Sequence, residues 1–530
     1  MIAVTNLRLS LDEGESLLIQ KAAQRLGVRP GDIQRLRIVR MSLDARDKRD
    51  IHFTCTVEAG LEDEAAVSKR TGLPIIQPHS RETITYGHEE LRGRPVVAGA
   101  GPAGLFAALT LAQHGYRPLI LERGKQIEER KKDADAFWGK GIFDPESNAA
   151  FGEGGAGAFS DGKLTTRIKD ERREDVLQAL IECGAPESID YDAKPHLGTD
   201  VLYKLLPRLR NRIIEMGGEF LFSTKLESII KSSSGALKSI QTGGKCITIE
   251  TNALVLAIGS GARDTYSMLF NAGAAMEAKP FAIGLRIEHP QEMINLSQYG
   301  AMASHPRLGA AEYHLAGEQR GRGVYTFCMC PGGEVMGSTS ESGCLVVNGM
   351  SNSARSGLHA NSAVVAQVSA ADFGEGILSG VEFQRQWEKA AFSLGGGGYI
   401  APAQTAEDFL AGKTTVKFDG IQPTYRPGVT GSDLSKCLPE AVTVALKEGI
   451  KSFGRMLKGF DMPGAVLTAI ETRTSSPIRI LRDKDCESLN LPGLYPCGEG
   501  AGYAGGIVSA AVDGIRVAEA VIRKYKRPVG

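Results

Sequence analysis

The 530-residue sequence has no excess of charge of either sign, with 62 lysines and arginines against 62 aspartates and glutamates. That balance gives no electrostatic reason to expect nucleic acid or an anionic lipid surface as partner. No apolar run approaches the roughly 18 residues that a membrane span needs. The opening MIAVTNLRLSLDEGE lacks the charged and apolar regions of a signal peptide. A cytoplasmic protein without a membrane is expected. Cysteines are few and scattered, at 55, 183, 246, 328, 330, 344, 437, 486 and 497. An odd, dispersed set reads as reduced thiols and excludes a disulfide framework. There are no repeats and no low-complexity tract, and no HExxH, Ser-His-Asp or P-loop pattern, so no metal is expected. What the sequence does have is glycine, 64 residues of it, concentrated in a few loops.

Length and composition suit two or three globular domains. Residues 1–90 read as a small α+β domain of β-α-β-β-α order, ferredoxin-like in type. VTNLRLSL is its first strand, 15–26 its helix, and IQRLRIVRMSL and DIHFTCTVEAG alternate as strands around the turn DARDKRD. A second helix is expected over 62–70, and LPIIQPHSRET reads as a linker. Residues 94–270 carry a strand, a glycine turn, a helix and a second strand, and then an amphipathic helix over 200–216 with Thr199 or Asp200 as cap. EFLFSTKLESI follows as one strand. Residues 271–463 read as an inserted α+β domain for substrate, with GGGG at 395–398 as a tight or flexible loop, and 464–530 as the return of the first domain.

The central motif is RPVVAGAGPAGLFAALTLAQHGYRPLILERG. Gly99, Gly101 and Gly104 sit between an apolar strand and a helix. In this Rossmann arrangement Gly99 permits the turn, Gly101 lets the backbone approach a pyrophosphate, and Gly104 lets helix and strand close. The helix N-terminus offers unpaired N–H groups to the phosphates. Glu122, ending the second strand, can accept from ribose hydroxyls and would repel a 2′-phosphate. The C-terminal segment LYPCGEGAGYAGGIVSAAVDGIRVAEA separates FAD from NAD. Glu499 in a glycine turn suits a ribityl hydroxyl. Gly505-Gly506-Ile507 opens a helix whose positive end suits the N1/O2 edge of a flavin. FGEGGAGAFSDGKLTTR at 151–167 and Ala257-Ile258-Gly259 are further candidate cofactor loops.

The segments SLDAR (42–46), GAGPAGLFAAL, FGEGGAGAFSDGKLTTR, HLGTD (196–200), YTFCMCPGG (325–333), ETRTSSPIRI (471–480) and YPCGEGAGYAGGI resemble a bacterial group of FAD-dependent dehydrogenases, or FAD/NAD(P)-binding oxidoreductases, within the glutathione-reductase-type FAD superfamily. The resemblance spans nearly the whole chain. It implies FAD contacts at Gly99, Gly101, Ala103, Gly104, Glu122 and Arg123. It further implies contacts at Gly154, Gly155, Ser160, Lys163 and Leu164, at Lys225 and Leu226 near adenine, and at Gly259, Glu499, Gly505, Gly506 and Ile507. The absence of cysteine between 56 and 182 excludes the CxxxxC disulfide-reductase branch. There is no second GxGxxG, so NAD(P)H would bind transiently over the flavin, or electrons would come from the substrate itself.

Candidates for chemistry beyond the flavin are thin. Cys328-Met-Cys330 could be redox active or bind a soft metal. With no CxxC or histidine cluster near it, two small buried residues in a strand is the reading the sequence favours. Arg286 and His359, together with His196, His289, Arg355 and Arg473, could orient an anionic or carbonyl substrate, and each fits a structural hydrogen-bond donor better. Arg35, Arg37, Arg40, Arg46, Lys48 and Arg49 could face nucleic acid, but interleaved acids at 32, 44, 47 and 50 suggest a solvated face. The expected function is hydride transfer between a small organic substrate and flavin N5. The rivals are an RNA-modifying flavoenzyme and a non-catalytic FAD-binding redox sensor.

Overall fold

Val96–Ala98, Leu119–Leu121 and Leu254–Leu256 are continuous runs of Val, Leu, Ile and Ala with no polar alternation, and every residue in them is buried. Such runs belong in a parallel sheet covered on both faces. In the computed structural model, which describes residues 1–77, 83–244 and 246–528, they form the middle of a five-stranded parallel sheet. Leu494–Pro496 lies at one edge and Glu219–Leu221 at the other. Val97, Ile120 and Val255 point to one face, against helices Pro102–Gln113, Gly198–Glu215 and Ile507–Lys524. Their neighbours Val96, Ala98, Leu119, Leu121, Leu254 and Leu256 point to the other. There they meet helix Arg263–Asn271 and an antiparallel meander of Leu226–Lys231, Leu237–Thr242 and Thr248–Glu250.

Helix Pro102–Gln113 is buried continuously from Ala103 to Ala112, which its alanine-rich sequence allows. It packs against the last helix at one tight crossing, where a Cβ on Gly514 would run into the carbonyl of Ala103. The two glycine-opened helices are thus locked side by side, although some 400 residues of chain separate them.

The inserted part is a seven-stranded mixed sheet, ordered 316–319, 322–330, 359–368, 281–290, 466–471, 401–405 and 429–431. Helix Glu440–Met456 lays its apolar face on it. The insertion therefore runs past the expected boundary at 463. Val466–Glu471 pairs with Phe281–Pro290 and with Ala401–Thr405, so the return to the parallel sheet comes only after it. Gly396, Gly397 and Gly398 all have positive φ and form a tight turn before Ala401.

The N-terminal domain has the order β-α-β-β-α. Ile2–Ser10, His52–Gly60 and Arg35–Asp44 lie antiparallel in that spatial order. The stretch expected to be a linker begins as an edge pairing: Ala3 N–H donates to Pro74 O at 3.0 Å and Ile76 N–H to Met1 O at 2.8 Å. Residues 78–82 of that stretch lie outside the described residues. The domain docks through Met41, whose N–H donates to Tyr191 O at 2.8 Å and whose carbonyl accepts from Ala193 N–H at 2.9 Å.

Two local expectations change. The single strand over 219–229 is two strands in two sheets, Glu219–Leu221 and Leu226–Lys231, parted by a turn with Ser223 at φ 50°. The long helix begins at Gly198, with no side-chain cap. Thr199 Oγ1 instead donates to Ser160 O at 2.9 Å, and Asp200 accepts from Ser353 N–H and Oγ at 2.7 Å each. Those side chains tie the helix to neighbouring loops rather than to its own N–H groups. Among the described residues, no helix is long and apolar enough to cross a membrane.

Candidate functional site

The glycine turn after Val96–Ala98 is shaped by close backbone approach. Gly99 has φ 106°, and a Cβ there would strike Ala257 O. A Cβ on Gly104 would strike Gly99 O and crowd Val97. Gly101 differs: its φ is −77° and an added Cβ would meet only Gly155 Cα, at 3.8 Å. Its missing side chain leaves open space. The same is true at Gly259 and Gly505, where a Cβ would meet nothing within 4 Å, and nearly so at Gly506.

That open space is one cavity of about 420 Å³. Helices Pro102–Gln113 and Ile507–Lys524 both begin at its wall, and neither start has a side-chain cap. Two sets of N–H groups and two positive helix ends therefore face the same volume with acceptors owed to them. An elongated ligand rich in acceptors, with a diphosphate among them, fits that donor set.

Glu122 is 5% exposed and does more than line the cavity. Its Oε1 accepts from Gly124 and Gly152 N–H, each at 2.9 Å, and its Oε2 from Ala100 N–H at 2.8 Å. The carboxylate clamps the first glycine turn to the 151–157 loop, which leaves a lone pair on Oε2 for a ligand. Arg123 lies over the Phe151 ring at 4.0 Å and forms a fork to Asp264 at 2.9 and 3.1 Å. Lys225 also reaches Asp264, at 3.2 Å.

At the other end Glu499 accepts from Ser260 Oγ at 3.0 Å, and burial raises its pKa. Its turn is set by residues the sequence did not single out. Asp513 of the last helix accepts from Gly498 N–H at 2.8 Å and pairs with Arg482 at 2.6 Å. The Tyr266 hydroxyl donates to Gly500 O at 2.8 Å, and its hydroxyl lies 3.3 Å from Ser476 Oγ.

Of the residues expected at the cofactor, Gly99, Gly101, Ala103, Glu122, Arg123, Gly155, Ser160, Lys163, Lys225, Leu226, Gly259, Glu499, Gly505, Gly506 and Ile507 all line this cavity. Gly104, Gly154 and Leu164 do not line it and stand behind the wall. Gly154 N–H donates to Ala100 O at 2.8 Å, and Leu164 is fully buried.

The insertion closes the cavity with Phe327 and Cys328 from the seven-stranded sheet and with Ser338 and Asn348 at a two-stranded sheet of 334–337 and 347–350, joined by Arg473 and Thr474. Of Cys328, Cys330, Arg286 and His359, only Cys328 lines it. Cys330 and Arg286 are fully buried, and His359 opens a strand elsewhere in the sheet. His289 is buried against Phe460 O, at 2.7 Å. The reading of 328–330 as two buried residues in a strand holds for Cys330 and fails for Cys328. The strand bulges between Phe327 and Cys330, and Cys328 takes φ 45°, turning out of the pleat. Lys163 Nζ donates to Met329 O. Arg286 anchors the bulge, donating to Cys328 O at 2.8 Å, Asn361 Oδ1 at 2.9 Å, Asn348 Oδ1 at 2.7 Å and Glu471 at 2.9 Å.

A buried charge cluster joins cradle and insert. Arg263, at the start of helix Arg263–Asn271, pairs with Glu388 at 2.6 Å and Glu341 at 3.0 Å. Burial would raise the Glu388 carboxyl, but Arg263 and Arg473 bring it down to about 2. Arg473 donates to Ser340 Oγ at 2.6 Å, and its Nε–H is buried without a partner. In the N-terminal domain Arg46, Arg49 and Arg37 pair with Asp44, Asp47 and Asp190.

Residues 280–474 match the family described as FAD-dependent protein, C-terminal domain-like, and residues 1–60 match a domain of unknown function. A Clostridium beijerinckii protein described as uncharacterized is 50% identical over 533 residues, covering 99% of each chain. Among solved structures, glycine oxidase from Geobacillus kaustophilus is 12% identical over 83% of this chain and 96% of that one, with a TM-score of 0.34. THI4 from Thermovibrio ammonificans is 16% identical over 35% of this chain and 64% of that one, with a TM-score of 0.25. Likeness at that level assigns no activity.

Proposed function

This chain belongs to the same family as the Clostridium beijerinckii protein and its cofactor is FAD; on those premises we propose that it is a dehydrogenase that moves hydride between a small organic substrate and flavin N5. The observation that carries this reading is the single cavity shared by an uncapped backbone cradle and a side-chain wall from the inserted sheet. In the proposed pose, the 99–101 turn and the start of helix Pro102–Gln113 hold the diphosphate. The free lone pair of Glu122 takes a ribose hydroxyl, Lys225 and Leu226 flank adenine, and Glu499 takes a ribityl hydroxyl. The N-terminus of Ile507–Lys524 faces the N1/O2 edge. Bound FAD supplies hydride acceptance and donation at N5.

The substrate lies against Phe327, Cys328 and Asn348. Arg473 brings a cation and an N–H without a protein partner, so a carbonyl or carboxylate is the substrate group it would orient. In this pose the GxGxxG motif at 99–104 is given to FAD, which fits a transient visit by NAD(P)H or electrons drawn from the substrate. The acid partners of Arg37, Arg46 and Arg49 count against an RNA-modifying role, because they neutralise the face that would meet RNA.

Anaerobic stopped-flow absorbance of the yellow protein with NADH, NADPH and small 2-hydroxy acids tests the reading. Bleaching of the flavin band by one of them is expected. A flavin that bleaches with dithionite but with none of these would point to a redox sensor instead.

A further inference from the structure

The proposed hydride transfer uses Cys328 only as a surface and gives the CxC segment no chemical task. Cys330 Sγ donates to Cys328 O at 3.4 Å, so the second thiol folds back on the bulge that carries the first. Cys328 is half-buried and lines the cofactor cavity, while Cys330 stands directly behind it and is fully buried. The backbone is built to make this placement. A bulge and a left-handed φ of 45°, which residues with a side chain seldom adopt, turn Cys328 toward the cavity. The buried Arg286 fixes that carbonyl and Lys163 fixes the next one. Gly349 and Gly333 lie so near Cys330 that a Cβ on either would crowd it, at 2.9 Å from its Sγ and 3.0 Å from its Cβ. Strain of this kind persists where the surroundings over-determine it, and it clusters at functional sites.

A soft-metal site would need a third ligand. Among the described residues the cluster that could hold an ion is Glu341, Cys344 and Glu388, away from this pair, and Arg263 already occupies it with its guanidinium. We propose that Cys328 and Cys330 are a redox-active pair that exchanges electrons with the bound FAD, so that the protein holds a dithiol/disulfide couple beside its flavin. This rests on the FAD reading above.

The chemistry balances without a further reactant. The neighbouring Cys330 side chain, with the charges of Arg286 and Lys163, brings the Cys328 thiol down to about 5 against its burial, while Cys330 is pushed well up. Near neutral pH the pair is therefore one thiolate and one thiol. On oxidation the Cys330 S–H bond breaks and one Sγ–Sγ bond forms. Two electrons and the one proton pass to FAD, leaving the anionic reduced flavin that a helix N-terminus at its N1/O2 edge would favour. On reduction of the disulfide the same atoms and electrons return. The thiolate is the sulfur on the cavity side, as attack and charge transfer both require. The charged groups around it are Arg286 and Lys163 on one side and Asp161, Glu471 and Glu499 on the other.

The test is an anaerobic dithionite titration of the air-oxidised holoprotein, with cysteines alkylated under denaturing conditions and weighed before and after. The wild type is expected to take up twice the electrons per FAD that Cys330→Ser takes, and to gain alkylation at 328 and 330 on reduction. Cys330→Ser, which keeps the outer sulfur, should show a long-wavelength charge-transfer band that is lost in Cys328→Ser. A wild type whose flavin reduces fully with no change in alkylation overturns the pair and leaves the FAD dehydrogenase reading standing. A protein that binds no FAD overturns both. The wild-type measurement decides the matter even if either variant fails to fold.

Discussion

The two walls of the cavity are made of different material. The cradle, from 96–104 and 498–507, meets its ligand with backbone N–H groups and with space where side chains are missing. The wall from the insertion and the residues just after it lines the cavity with Cys328, Asn348 and Arg473 side chains. Backbone recognition of a dinucleotide forces glycine at fixed spacings, so it leaves a pattern in the sequence. Side-chain recognition can be assembled from any strands that happen to be neighbours, so it leaves none. The cradle is therefore legible as a cofactor site, and in the proposed function the wall is what would select the substrate.

The largest expected effect comes from cutting the joint between them. Arg263→Met would leave Glu388 buried with the Thr472 hydroxyl at 2.6 Å and Arg473 at 3.5 Å as its remaining side-chain partners. A loss of about 3–5 kcal/mol in urea unfolding is expected, as for other buried charges stripped of a partner. A loss below about 1 kcal/mol would mean that cradle and wall are held together by something else.

Within the cradle, Gly104→Ala puts a Cβ into the Gly99 carbonyl and should cost up to about 3 kcal/mol, with FAD content falling in step. Asn348→Ala on the wall should leave FAD content unchanged. Equal loss of colour from both variants would erase the distinction. Glu122→Gln comes next. Replacing one acceptor oxygen by an amide strands at least one N–H among Ala100, Gly124 and Gly152, at a cost of about 1–2 kcal/mol and a weaker FAD complex by fluorescence titration.

The smallest effect is a slope with pH. Burial pushes Glu288, on the central strand of the insert, up to about 7, with the Thr424 hydroxyl and N–H pulling the other way. A carboxyl whose folded pKa lies above its unfolded value stabilises fully below the unfolded value of 4.5 and loses that contribution as pH rises through about 7. Thermal midpoints should decline across that window in the wild type and run flatter in Glu288→Gln.

The same contrast explains what could be read in advance. The strands at 96–98 and 119–121, the glycine turn, both glycine-opened helices and the β-α-β-β-α order of the first domain all follow from local periodicity and turn chemistry. Most residues expected at the cofactor line one cavity. Gly104, Gly154 and Leu164 stand behind it, since a loop shows its glycines but not which of them face inward. What stayed hidden depends on distant partners. Whether Cys328 or Cys330 faces the cavity is decided by a bulge whose register is set by Asn361 and Ala363 on another strand. Thr199 and Asp200 looked like caps because the loops that claim them, at 160 and 351–353, are remote in sequence. Val466–Glu471 looked like the return of the parallel sheet because it is a fully buried strand, and burial alone does not say in which sheet. Asp513 could have been suspected only from a charge on the buried face of the helix at 507–524, and its partner Arg482, in a loop before it, leaves no such signal.

FAD binding to apoprotein carrying Gly101→Val is the most direct test of the backbone cradle. The residue has φ −77° and open space at its Cβ, so the variant should fold with an unchanged apoprotein melting point while its branched side chain fills the diphosphate position. The account predicts a colourless protein that takes up no FAD in a fluorescence titration. A yellow Gly101→Val protein with wild-type affinity would contradict it.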